Sequence, residues 1–421
     1  MQTAKEAVNQ PRFIATEKID DITGFLEFEH KGSILLVADN HTYEAAGKKV
    51  RRILELIGFS VHECILVRPG VLVPDETAIR EIMTACQGSF QLLFAVGSGC
   101  INDLMKYVSQ EKGIPLITLA TAASMDGYNS SVAALTIGGY KKTVQASPPM
   151  LILSVTEILN QSPKLMTAAG IGDLLGKYTS LTDWKISTFI NDEPYSEKLV
   201  QKLREALVLA TSYTNGNRQD ESIQHIMKAL IVSGEVMWEW GNSRPASGAE
   251  HHLSHFWELQ ADRLKIPGHL HGQKVGVATV LINELYYRIF SLDKDSINRM
   301  IINRVPETKQ QFERRIERVY GELSNSVFEG LGGLYLDESR RRERQQRIVE
   351  YWDEMKAWVM ENLPHPQTTA EILKKCGAPT NPAELEIDKS MVVNAIQNAK
   401  EMRSRYTILR LAEDIGYPLG E

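Results

Sequence analysis

Between residues 33 and 155 the sequence switches repeatedly between short apolar runs and longer segments with apolar residues at helical spacing. Few folds accommodate that rhythm. SILLVA (33–38) has no polar alternation, as a strand covered on both faces requires. YEAAGKKVRRILELIGF follows, with Val50, Ile53, Leu54 and Ile57 on one helical face. The cycle repeats with VHECILV and DETAIREIMTACQG, then LLFAVGSGC and INDLMKYVSQEKG, then PLITLAT. Such alternation predicts a parallel α/β sheet, Rossmann-like, over residues 1–155. IGGYKKTVQASPPMLILS reads as a β-hairpin turning at Gly138-Gly139, leading into a last strand. After it only helical patterns recur, so an all-α domain is expected over 156–421.

Charge and cysteine usage exclude several function classes. A net charge of −6 argues against a general nucleic-acid or acidic-membrane binder. No apolar run approaches the ~18 residues of a membrane helix, and MQTAKEAVNQPRF lacks the apolar core of a signal peptide. Cys64, Cys86, Cys100 and Cys376 are scattered without C-x-x-C spacing, which reads as reduced thiols in a cytoplasmic protein.

Two stretches of the first domain suit a nucleotide. Gly97-Ser98-Gly99 stands between a strand and a helix, where glycine allows close backbone approach and free N–H groups favour a phosphate. Asp103 follows in the first turns of that helix. Asp39, ending the first strand of the alternation, is placed either to bond an adenosine ribose or to cap the next helix. TAASMDGYNSS (121–131) follows the fourth strand, at the strand end where α/β sheets bind ligands. There Thr121 and Ser124 could reach a pyrophosphate or ribose, and Asp126 a substrate hydroxyl.

The second domain concentrates metal chemistry. Five of the ten histidines fall in one short stretch: His251, His252, His255, His269 and His271. Neutral imidazole is a common ligand for a borderline-soft divalent metal, and such crowding favours a metal over scattered packing roles. His251 and His255, four apart, share a helix face, with His252 about a quarter-turn away. Pro267 and Gly268 would break that helix before His271-Gly272 opens the next. A carboxylate must come from elsewhere, and Asp173 in AAGIGDLLG is the candidate; Asp183 lies in what reads as a surface pattern. In SRPASG (243–248), Arg244 with its serines could bind a phosphate or carboxylate, or simply form a salt bridge.

With VGSGCINDL, TAASMDGYNSS, AAGIGDLLGKYTSLTDWKIS, SRPASGAEHHLSH, HGQKVGVA and RSRYTILRLAEDIG in view, the chain resembles the sn-glycerol-1-phosphate dehydrogenases. These lie in the wider group of glycerol dehydrogenases, metal-dependent alcohol dehydrogenases and dehydroquinate synthases. The resemblance implies metal ligation by Asp173, His251 and His271, usually of zinc or nickel, with His252 an alternative to His251. It implies substrate contact by Asp126, Asp173 and His255. It implies NAD(P) contact by Gly97, Ser98, Gly99, Cys100, Ile101, Thr121, Ala122, Ala123, Ser124 and Ser130, with Asp39 at the ribose. Cys100 stands where the family usually has threonine, and Ser154 where the wider group usually has aspartate.

The expected reaction is reduction of dihydroxyacetone phosphate by NAD(P)H to sn-glycerol 1-phosphate, in a homodimer or larger assembly. The proton would come through metal-bound water or His255, whose imidazole is expected to titrate near neutrality. A glycerol dehydrogenase-like polyol oxidoreductase and a dehydroquinate-synthase-like cyclase are the alternatives.

Overall fold

The computed structural model describes residues 11–420 apart from 27, 29, 139, 214–218, 265–267 and 331–334. The positions expected to turn the hairpin (Gly139) and break the histidine helix (Pro267) lie outside the described residues. Contacts divide the chain into two compact units, Met1–Leu174 with Glu205–Glu239, and Leu175–Arg204 with Trp240–Glu421.

The first unit holds the expected sheet. Its strands are β1 (Arg12–Thr16), β2 (Ser33–Asp39), β3 (Ser60–Leu66), β4 (Leu92–Gly97), β5 (Leu116–Ala120) and β8 (Leu151–Val155), in the order β1-β8-β5-β4-β2-β3. Every pairing is parallel. Helices cover both faces, and accordingly β4, β5 and β8 are buried along their whole length. One face packs Leu36, Phe94 and Leu153 against Val50 and Leu54; the other packs Val37 and Ala95 against Leu104 and Val108. An antiparallel hairpin, β6 (Val132–Ile137) and β7 (Tyr140–Gln145), stands apart from the sheet.

Two features of this unit depart from the expectation. Strand β1 went unread; it is a short edge strand whose partner β8 comes more than a hundred residues later. The strands do end at Val155, but the unit continues through Leu174 and takes back Glu205–Glu239, beyond the boundary expected at 155/156. Side-chain bonds explain the return. Ser154 Oγ donates to Gln224 Oε1 at 2.8 Å, and Ser233 Oγ donates to Asp126 Oδ2 at 2.8 Å.

The second unit is helical. Its core includes Trp184, Trp257, Trp352 and Tyr286, with Phe290 and Trp352 stacked at 4.7 Å. Helices Ala249–Leu264 and His271–Phe290 pack side by side and carry the histidines. Among the described residues no single helix is long and apolar enough to cross a membrane.

Candidate active site

In the sheet unit the strand order reverses direction at β2 and β4, which are neighbours, and the carboxyl ends of such a pair are where open α/β sheets bind ligands. The register Ala38↔Val96 and Gly97↔Ala120 sets Asp39, Gly97 and Thr121 along that edge. The glycines have physical reasons. A Cβ on Gly97 would lie 2.5 Å from the Ile101 side chain, and one on Gly99 would lie 2.9 Å from Met125 Cε. Ser98 is the N-cap of helix Gly99–Lys112, yet its side chain makes no capping bond. The turn therefore presents backbone N–H groups without a side-chain cap, the arrangement that suits a phosphate.

Several residues expected at the cofactor also have defined structural work. Asp39 realises the helix-cap alternative: its Oδ1 accepts from the backbone N–H groups of His41 and Thr42, both at 2.8 Å. Asp103 pairs with Lys106 at 2.8 Å and accepts from Ala134 N at 3.2 Å, fastening the hairpin to the helix. Lys106, fully buried, also donates to Gly127 O, Ser130 Oγ and Val132 O. Ser130 is thus part of an anchor, 2% exposed. Ile101 is buried, whereas Cys100 is half-buried. Thr121, Ala122, Ala123 and Ser124 are all buried, and Tyr128 closes the loop by donating to Ala122 O at 2.8 Å. This loop is packed structure, not a solvated turn.

Asp126 and Asp173 meet across 47 residues of chain: the Asp126 N–H donates to Asp173 Oδ2 at 3.0 Å. Gly170 makes this possible. It lies one turn before Asp173 on helix Lys164–Asn191, where a Cβ would sit 2.0 Å from Ala123 O. The small-residue stretch AAGIGD is therefore the surface by which this helix abuts the 121–130 loop. Asp173 is fully buried.

In the helical unit three imidazoles gather. Ring centroids are 5.8 Å apart for His251 and His255, 5.2 Å for His251 and His271, and 5.5 Å for His255 and His271. Two rings are held from behind by carboxylates. His251 Nδ1 donates to Glu250 Oε1 at 2.7 Å, and His271 Nδ1 lies 3.4 Å from Glu258 Oε1, itself 3.0 Å from Lys274 Nζ. A proton on Nδ1 leaves the lone pair on Nε2, the form that ligates a metal. His252 points elsewhere: it is fully buried, and neither ring nitrogen finds a partner among the described residues. Of the alternatives at 251 and 252, only His251 joins the cluster. His255 departs from the expectation of near-neutral titration. Desolvation first, then neighbouring His271 and Arg403, outweigh Glu258 and hold its imidazole well below the usual value.

Two further expectations are corrected. Asp183 is not on the surface but fully buried, accepting from Tyr286 Oη (2.5 Å), Ala249 N (2.7 Å) and Ile408 N (2.7 Å). Burial, then Glu250, pushes its carboxyl up to about 7. Arg244, expected as a substrate ligand or a salt bridge, forms the salt bridge. Its Nε and Nη2 donate to Glu193 at 2.8 and 3.0 Å, and Nη2 also reaches the carbonyls of Asp183 and Tyr406. At 2% exposure it is closed to solvent, and its Nη1 finds no hydrogen-bond partner among the described residues. Sequence reasoning passed over Glu250 and Glu258. Their positions beside and between histidines were the available signal.

Residues 13–163 match the family described as iron-containing alcohol dehydrogenase. A glycerol-1-phosphate dehydrogenase of the NAD(P)+ type from Halalkalibacterium halodurans is 32% identical over 393 residues, covering 91% of this chain and 88% of that protein. One of the same name from Geobacillus stearothermophilus is 32% identical over 408 residues, 96% and 92% of the two chains. Among solved structures, Schizosaccharomyces pombe glycerol dehydrogenase aligns with TM-score 0.59 at 16% identity, over 96% of this chain and 88% of that one. NADH-dependent butanol dehydrogenase A of Thermotoga maritima aligns with TM-score 0.58 at 14% identity, over 98% of each chain. Those two likenesses establish the fold, and the sequence relatives establish the narrower kinship: the chain belongs to the glycerol-1-phosphate dehydrogenase family of NAD(P)-linked oxidoreductases.

Proposed function

We propose that this chain catalyses the reversible NAD(P)H-dependent reduction of dihydroxyacetone phosphate to sn-glycerol 1-phosphate, with Asp173, His251 and His271 holding one divalent cation. The observation that carries the reading is the trio of clustered imidazoles, two of them backed by buried glutamates. That donor chemistry fits a borderline-soft ion such as Zn2+ or Ni2+. When bound, the ion would act as a Lewis acid on the substrate carbonyl and its developing negative charge. Asp173 also accepts the Asp126 N–H, which keeps its carboxylate oriented. Asp126, itself held by Ser233, orients the substrate hydroxyls and so selects the face that receives hydride. Burial holds the His255 imidazole below its usual pKa, and its ring, beside those of His251 and His271, is placed to exchange a proton with the substrate oxygen. The Gly97–Gly99 turn, with Thr121 to Ser124, takes the dinucleotide phosphates.

Resemblance further supports a cytoplasmic homodimer or larger homo-oligomer that supplies a glycerophosphate lipid backbone. A polyol without phosphate is the second reading, and one observation favours it: Nε and Nη2 of Arg244 are taken up by Glu193 and two carbonyls, which leaves only the buried Nη1 without a partner among the described residues.

One assay separates these. The protein is stripped with chelator, Zn2+ or Ni2+ is restored separately, and NADH or NADPH oxidation is followed with dihydroxyacetone phosphate and with dihydroxyacetone. The proposal requires metal-restored turnover, a preference for the phosphorylated ketone, and sn-glycerol 1-phosphate as product. Full activity without metal would sink it. Metal-restored turnover that prefers dihydroxyacetone would leave the second reading.

A further inference from the structure

Glu250 is fully buried, yet among the described residues its carboxylate makes only two hydrogen bonds, both on one oxygen. Oε1 accepts from Gly248 N at 2.8 Å and from His251 Nδ1 at 2.7 Å, while Oε2 has no partner. An ionised carboxylate in such a place is costly unless nearby positive charge repays it. Accepting the Gly248 N–H from inside the first turn needs only a neutral acceptor, such as a glutamine amide oxygen. A carboxylate is required only if the imidazole it touches must be electron-rich and fixed as the Nδ1–H tautomer. Gly248 is part of the same arrangement. A Cβ there would lie 2.5 Å from Asp183 Oδ2 and 2.9 Å from Glu250 Oε2, so no other residue leaves both carboxylates in place. Asp183 in turn holds Ala249 N and Ile408 N, which fixes the backbone from which Glu250 projects.

We infer that Glu250 is a positioning residue for the metal centre: it acts through His251, holding the ring's lone pair on Nε2 and strengthening it as a ligand. Glu258 offers the same chemistry to His271 in a weaker form, at 3.4 Å and shared with Lys274. The inference rests on the metal reading above, and the experiment distinguishes the two.

The full chain is stripped and titrated with Zn2+ against a chromophoric chelator, for wild type, Glu250→Gln, Glu258→Gln, His251→Ala and the Glu250→Gln/His251→Ala pair. Removing a carboxylate behind a ligating histidine costs roughly 10–100-fold in metal affinity. That loss is expected for Glu250→Gln, with a smaller loss for Glu258→Gln. The metal-free melting temperature should stay at or above the wild-type value, because a buried charge has gone. In the His251→Ala background the Glu250→Gln change should cost nothing further, since its route of action is absent. Wild-type zinc affinity in Glu250→Gln, or an equal loss in both backgrounds, would overturn the inference and leave the metal reading standing. Unchanged affinity in His251→Ala would overturn the metal reading, and this inference with it. Should the Gln variant fail to fold, Glu250→Asp decides by the same titration: it keeps the charge but draws it back from Nδ1. Weakened zinc binding there supports the role, and wild-type binding refutes it.

Discussion

Replacing Gly170 by alanine tests the contact that sets Asp173 against the 121–130 loop. The new Cβ would stand 2.0 Å from Ala123 O and 2.9 Å from Ala123 C, both backbone atoms that cannot rotate away. Real Cβ contacts do not fall below 3.0 Å, so helix and loop must part by about 1 Å. Overpacking of that kind costs ~1–3 kcal/mol. The same displacement stretches the bond from Asp126 N to Asp173 Oδ2, now 3.0 Å, past hydrogen-bonding range. Losing a hydrogen bond to a charged group adds ~1.5–3 kcal/mol. Alanine's better helix propensity returns up to ~1 kcal/mol. The net expectation is a loss of about 2–5 kcal/mol, large for one methyl group. Urea denaturation reads the stability, and amide hydrogen exchange across 121–130 reads the local contact. Gly24→Ala is the control, because none of the described residues lies within 4 Å of a Cβ there. A Gly170→Ala protein with wild-type midpoint and unchanged protection of that loop would refute the reasoning.

Other expectations follow from groups the sequence misplaced. Asp183 keeps its proton in the folded protein up to about pH 7, whereas its ordinary value is 3.8. The folded state thus binds the extra proton, and the group's stabilising contribution is lost as pH rises through that window, by up to ~1.4 kcal/mol per unit. Asp183→Asn, which cannot titrate, should lie furthest below wild type in denaturant midpoint at about pH 4 and close the gap steadily towards about pH 7; a gap independent of pH would show that Asp183 does not titrate there. Arg244→Met leaves Glu193 and two carbonyls without their donor, and should cost about 2–3 kcal/mol because Glu193 remains partly solvated. Its KM for dihydroxyacetone phosphate should stay within about twofold of wild type. A large rise in KM at unchanged stability would restore Arg244 as a substrate ligand.

What the chain shows on inspection is what short-range physics controls. Unbroken apolar runs such as 33–38 declare a strand covered on both faces, and the glycines at 97 and 99 mark a turn too tight for side chains. The four-residue step from His251 to His255 puts both on one helix face, whatever surrounds them. Tertiary structure decided everything that needed a distant partner. Strand β1 is short and gains its identity only from β8. The helix carrying Gln224 and Ser233 has an ordinary helical pattern, and side-chain bonds to Ser154 and Asp126 assign it to the sheet unit. Asp183 alternates with polar neighbours like a surface residue, but Tyr286 and two distant amides make burial tolerable. Arg244 looked free for an anion until Glu193, 51 residues away, closed on it. Side-chain chemistry and periodicity are local properties, readable one segment at a time. The energy of a buried charge depends on whatever the fold sets beside it.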